Sequence, residues 1–293
     1  MGPLGIRFGP SRDDGIEFPP PIPPRPIERR YSARSILIAA ASTIVVFGGL
    51  AAIIVNSPGW ARVQPAFFDG DVFWRSLPAL IASFWINVQL FLIAEVLILI
   101  VGLGIAILRS LPGPVFFPVR VIATVYTDLF RAIPGLLVIF FLGFGVPALR
   151  IPGVPTDPFF WAVVALTLVY SAYVSEVYRA GIESIHPSQE AAARSLGLSR
   201  VQSLRFVIVP QAVRRVIPPL LNDFIGLQKD TVFVSFVGVV EVFREAQIKQ
   251  SALFNFTPYL ATALIFVVLT IPLARLTDWL VARDRRRGER RAA

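Results

Sequence analysis

Residues 185–216 read IHPSQEAAARSLGLSRVQSLRFVIVPQAVRRV, the one long polar stretch between the termini of an otherwise apolar chain. The stretch is too polar to lie across a bilayer, yet it is patterned. Pro187 suits the first turn of a helix, because its ring fixes φ near the helical value. Gln189–Leu196 favours helix, and Gly197 can take the left-handed conformation that closes one. Ser199 and Gln202 have the spacing of a capping box and open a second helix. Val201, Leu204 and Ile208 then share a face, with Arg200 and Arg205 off it, and Pro210 is expected to end that helix and turn the chain back towards the bilayer. Two short amphipathic helices around a glycine hinge can rest on anionic lipid or dock to a partner, and the pattern alone does not choose.

The flanking sequence is built for membrane. Of 293 residues, 55% are apolar and 16% charged, and the mean hydropathy is +0.68. A soluble protein carries roughly 25% charge, so a water-soluble enzyme is not expected. A span needs about 20 apolar residues. Ser35–Val55, Asn87–Leu108, Val121–Leu149 (kinked near Pro134), Phe159–Ile182, Val216–Val240 and Tyr259–Val281 meet that length. The expected fold class is therefore all-α and integral to the membrane, with six transmembrane helices.

Charge sets the orientation. Lys and Arg gather on the cytoplasmic side of membrane proteins. Arg29, Arg30 and Arg34 precede the first span, Arg283 to Arg291 follow the last, and Arg194, Arg200, Arg205, Arg214 and Arg215 lie between spans four and five. With six crossings these clusters share one side, so both termini are expected in the cytoplasm. The segments 56–84, 150–158 and 241–257 become outer loops. Residues 1–34 form a Pro/Arg-rich tail, read as an extended spacer. Its length sets the first apolar run too far in for a usual cleaved signal peptide. Residues 282–293 form a basic tail.

Composition also removes chemistry. The chain has no Cys and one His, which leaves little for thiolate or histidine metal sites or for Ser-His-Asp catalysis. Its two lysines, Lys229 and Lys249, are followed by Asp230 and Gln250. A phosphate-binding GxxxxGK[ST] loop requires Ser or Thr there, so any ATP is expected on another subunit. No catalytic residue, metal or resident cofactor is expected, and the arginine distribution around apolar runs argues against nucleic acid.

The central segment resembles the EAA loop of importer-type ABC transporter permeases, EAA-x3-G-x9-I-x-LP. Glu190, Ala191, Ala192, Gly197 and Pro210 stand in that relation. Counting back from Gly197, the family's Glu position falls on Ala191, and Glu190 sits one residue early. Val207 and Val209 replace the Ile and Leu. Three further segments are similar to the polar amino acid branch: Phe130-RAIPGL-Leu137 to RGTPLL, Ser171-AYVSEVYRA-Gly181 to AYxAExxRGG, and Leu221-NDFIGLQKD-Thr231 to LNxFIxLxKDT. The matches run in family order over about residues 85–285. The resemblance implies a five-helix permease core over 85–281 plus one additional amino-terminal helix at 35–55. It also implies a second permease subunit, as homodimer or heterodimer, and two cytoplasmic ATPase subunits that hold ATP and Mg. An extracytoplasmic solute-binding protein would deliver an amino acid through a bacterial inner membrane. The coupling loop, 185–216, would seat Glu190, Ala191, Ala192, Gly197, Ser199, Leu204 and Pro210 against the ATPase.

Charges inside a bilayer cost roughly 2.5–3.5 kcal/mol each at mid-depth and usually face a bundle interior. A zwitterionic substrate needs a cation for its carboxylate and an acid for its ammonium. Glu95, Arg131, Glu176, Asn222, Lys229, Asp230 and Thr231 are the candidates for the substrate path, and the alternative is that the charged ones pair among themselves. The competing function is an ion-coupled secondary transporter or channel, which explains these charges but leaves the helix–Gly–helix insert idle.

Overall fold

The computed structural model describes residues 32–292, with side chains over 32–283. The expected tail therefore lies outside the described residues except for 32–34, as do the side chains of most of the basic tail. Every regular element among the described residues is helical. The chain divides into two units, Met1–Trp60 and Ala61–Ala293. The first holds α1 (Ala33–Val55), capped by Ser32, whose hydroxyl accepts from the Ser35 N–H at 3.2 Å.

The second unit is built around two long helices. After the short α2 (Trp60–Phe67), Asp69 caps α3 (Gly70–Arg109) by accepting from the Val72 N–H at 3.0 Å. Asp157 caps α7 (Pro158–Glu183), and Pro158 occupies its first turn. α3 packs along α7, with Leu90, Ala94 and Ile98 against Ala162, Ala165, Leu166 and Val169. Small residues let helix backbones approach in lipid, where van der Waals contact replaces the hydrophobic drive. Gly102 shows the need, because a Cβ there would meet Val174 Cγ1 at 2.8 Å.

Between them, α4 (Phe117–Ala132) and α5 (Gly135–Phe140) meet at a bend of 104°. The residue before a proline avoids the helical region, and Ile133, before Pro134, has ψ of 129°. α5 continues through a π-helical turn, Phe141–Gly145, into α6 (Val146–Ala148). The expected Val121–Leu149 span is thus corrected to a broken pair, since proline forces a corner rather than a gentle kink.

Past the central segment, α10 (Val209–Asp230) passes into a 3-10 helix, Thr231–Val237. α11 (Val242–Leu253) and α12 (Thr257–Ala292) follow. The Val216–Val240 span is corrected accordingly: the α-helix starts earlier and stops at Asp230. The segments expected as outer loops at 56–84 and 241–257 carry α2, the start of α3, and α11. Among the described residues, four helices are long and apolar enough to cross a membrane, five if the bent pair is one span, and α10 is not among them. Protein covers one side of it, where Ala212, Val216, Leu227 and Gln228 are buried and Asp223 and Asp230 half-buried, while Arg214, Arg215 and Lys229 are exposed.

Candidate functional site

The central segment forms α8 (Pro187–Ser195), a turn at Gly197, and α9 (Arg200–Ser203). His186 caps α8, its Nδ1 accepting from the Ser188 N–H at 3.2 Å. Gly197 has φ of +84°. The capping box closes in both directions: Ser199 Oγ accepts from the Gln202 N–H at 3.2 Å, and Gln202 Oε1 from the Ser199 N–H at 2.8 Å. Pro210 does not end the helix. α9 runs on through a π-helical turn, Leu204–Ile208, into α10, and Pro210 stands in the first turn of α10. There its missing N–H costs little. Glu190 is half-buried in the first turn of α8, whereas Ala191, Ala192, Ser199 and Pro210 are exposed. Leu196, Val201, Leu204 and Phe206 are also exposed, at 84%, 74%, 52% and 62%. Ile208, expected on their face, is only half-buried. The element thus presents apolar side chains outward while its backbone ends are satisfied by its own residues.

A second group gathers where α3, α4 and α7 meet. Glu176 is bonded to Arg109, accepts from Arg179 Nη2 at 2.7 Å, and lies 3.6 Å from Arg131. Arg179 also reaches Glu183 at 2.5 Å. Glu176 and Arg131 are therefore paired with each other, as the alternative reading of the charges allows. Through these contacts Glu176 ties α3 and α4 to α7.

Arg131 connects this cluster to a cleft. Its guanidinium lies 5.9 Å from the centroid of the Tyr173 ring. Tyr173 lines a cavity of about 270 Å³ with Gly135, Tyr170, Asp223, Asp230 and Phe233. Tyr170 donates to Asp230 Oδ2 at 2.7 Å, and Asp223 Oδ2 is buried without a hydrogen-bond partner. Asp223 and Asp230 are seven residues apart on α10 and so share a helix face. Glu95 is half-buried on α3, near enough to Asp223 for their charges to interact. Asn222 and Lys229 occupy exposed positions of α10 and do not line the cleft. Thr231 is fully buried and turned to a different set of partners.

Those partners were not anticipated from sequence. Asn87 Nδ2 donates to Thr231 Oγ1 at 3.1 Å and to Glu241 Oε2 at 2.9 Å, and Asn87 Oδ1 accepts from the Val242 N–H at 3.1 Å. Glu241 also accepts from the N–H groups of Phe243 and Arg244, capping α11. Glu is not a favoured N-cap residue, so nothing local marks Glu241. Tyr170 and Tyr173 were likewise missed, because an aromatic inside an apolar run reads as core.

A broken span, a helix–Gly–helix insert and intramembrane charges around a cleft describe a transport permease. Residues 113–286 match the family of binding-protein-dependent transport system inner membrane components, and the chain belongs to that family. It is similar to the "Probable glutamine ABC transporter permease protein GlnM" of Bacillus subtilis, 37% identical over 63% of this chain and 83% of that protein. It is also similar to the arginine transport system permease protein ArtQ of the same organism, 32% identical over 67% of this chain and 88% of that protein. A crystal structure of an amino acid ABC transporter with histidines matches with a TM-score of 0.65 and 32% identity, over 70% of this chain and 94% of that one. The MetNI methionine ABC transporter, facing inward, matches with a TM-score of 0.57 at 18% identity, a likeness of fold alone. The chain is a multi-pass permease subunit of an ABC transport system, not an enzyme.

Proposed function

We propose that this permease imports amino acids, with six membrane crossings and both termini in the cytoplasm. It pairs with a second permease, a copy or a homologue, and with two cytoplasmic ATPase subunits that hold ATP and Mg. A solute-binding protein delivers substrate from outside. Relatives for glutamine and arginine, at 37% and 32% identity, support the substrate class.

One observation carries the coupling role: the insert at 185–216 satisfies its own backbone ends yet turns Leu196, Val201, Leu204 and Phe206 outward. Exposed apolar groups on a rigid, capped element are what a partner groove takes up. Closure of the ATPase pair would then pass through the insert to α7 and α10 as rigid-body motion. The cleft of Tyr170, Tyr173, Asp223 and Asp230 is our candidate for part of the translocation path. Its carboxyls suit a substrate ammonium, and Arg131 beside Tyr173 suits a carboxylate. Deleting Gln189–Ile208 is expected to abolish ATP-dependent uptake and ATPase co-purification while membrane insertion persists; unchanged uptake in that deletion would refute the coupling role.

A further inference from the structure

Between the end of α10 and the start of α11, the chain forms an arch from Thr231 to Glu241 that bears Phe233 on the cleft wall. The arch is irregular in a specific way. Its 3-10 helix spans seven residues, whereas such runs rarely exceed three or four and often mark a hinge. It closes at Gly238 with φ of +96°. Ser235 Oγ, inside it, is buried with no hydrogen-bond partner. Its outer shoulder rests on the π-helical turn after α5, where a Cβ on Gly143 would meet Val237 Cγ1 at 2.6 Å.

One side chain from α3 holds both feet. Asn87 is 2% exposed, and Thr231 and Glu241 are 0% exposed. Both N–H bonds of the Asn87 amide are used, one on each foot, and its carbonyl takes the Val242 N–H. Glu241 accepts three N–H groups, the pattern of an ionised carboxylate. An apolar filler would pack the same junction without fixing direction. Three directional bonds hold the arch to one register, and a buried polar network is costly to break partway.

We propose that Asn87 is a positioning residue for transport, clamping Thr231 and Glu241 so that the arch holds the Phe233 wall of the cleft in place. The transport half of this rests on reading the cleft as part of the translocation path. The clamp itself stands on geometry.

The test uses the assembled transporter with its ATPase and binding-protein partners. The chain has no Cys, so Ser235→Cys supplies a single buried reporter for maleimide. Asn87→Asp sets two carboxylates face to face. Adding Glu241→Gln restores a donor opposite an acceptor, its carbonyl keeping the Arg244 N–H while the Phe243 N–H loses its acceptor. Labelling of the reporter is expected to rise at least about tenfold in Asn87→Asp and to return within about twofold in the double variant. Uptake of 14C-glutamine and 14C-arginine is expected to show KM raised about fivefold in the single variant, with Vmax within twofold, and rescue in the double. Labelling that does not rise, or that stays high in the double variant, overturns the clamp. Labelling that moves while KM does not leaves the clamp standing and overturns the cleft reading. If Asn87→Asp does not assemble, Thr231→Val removes the Asn87 bond, together with the local donation to the Gln228 carbonyl, at constant shape, and at least a threefold rise in labelling is required of it.

Discussion

Two glycine elbows in this permease solve the same problem by opposite means. Gly197 joins α8 to α9 and Gly238 joins the 3-10 helix to α11, with φ of +84° and +96°. At neither position would a Cβ meet anything within 4 Å, so in both the demand is conformational. They differ in where the following helix finds its cap. After Gly197 the cap is local, Ser199 and Gln202 bonding each other across three residues at the exposed surface. After Gly238 the cap is Glu241, fully buried and held by Asn87, 154 residues away. A self-capped elbow keeps its shape when it leaves the body of the protein and grips something else. A cross-capped elbow keeps its shape only while the body does.

The contrast can be broken at four points. Glu241→Ala leaves the Asn87 amide and the first N–H groups of α11 without an acceptor, and about 3 kcal/mol of stability is expected to go, since each buried unsatisfied group costs about 1–3 kcal/mol. Thermal unfolding of the purified transporter in detergent checks it, and an unchanged midpoint would mean that water fills the place. Gly238→Val forces a β-branched residue to positive φ, for about 2 kcal/mol, and the same unfolding measurement should register it. Gly197→Val carries a similar local strain but should leave the unfolding midpoint in place, because the exposed elbow can open locally without unfolding the core; the expected loss is in ATP-driven uptake, with Gly197→Asn restoring most of it since Asn tolerates the left-handed region. A lowered midpoint without an uptake defect would reverse the assignment of roles. Ser199→Ala is the mildest, about 1 kcal/mol of local helix stability, read as weaker ATPase co-purification at unchanged expression.

The same contrast explains what could be read in advance. The insert at 185–216 was legible because its signals are short range: Pro187 for a first turn, Gly197 for a left-handed close, Ser199 with Gln202 for a cap. The corner before α5 was legible as a kink at Pro134, though its 104° was not, because proline marks a break without fixing the direction of the next helix. Pro210 misled for a related reason. A proline that stops one helix serves equally as the first turn of the next, and the π-helical turn at Leu204–Ile208 keeps the path continuous. α10 looked like an irregular span because its charges break the apolar run, and only packing shows which of them face protein. Asp230 meets Tyr170 and lines the cleft, whereas Asn222 and Lys229, equally prominent in sequence, fall on the exposed side. Glu176 stands in sequence beside Arg179, three residues on along the same helix, but Arg109 and Arg131 reach it from α3 and α4, which spacing could not assemble.

The sequence by itself determined that this protein lives in a membrane, that a polar elbow interrupts its spans, and that neither of its lysines precedes a Ser or Thr. Those properties are sums over composition or patterns within one helical turn. Only the tertiary structure decided that Asn87 and Glu241 meet, that two tyrosines and two aspartates share a cleft, and that one glutamate serves three arginines. Each of these depends on which faces of distant helices are turned together. In a bilayer that choice is made by backbone approach and by the need to satisfy buried polar groups, neither of which is written at any single position.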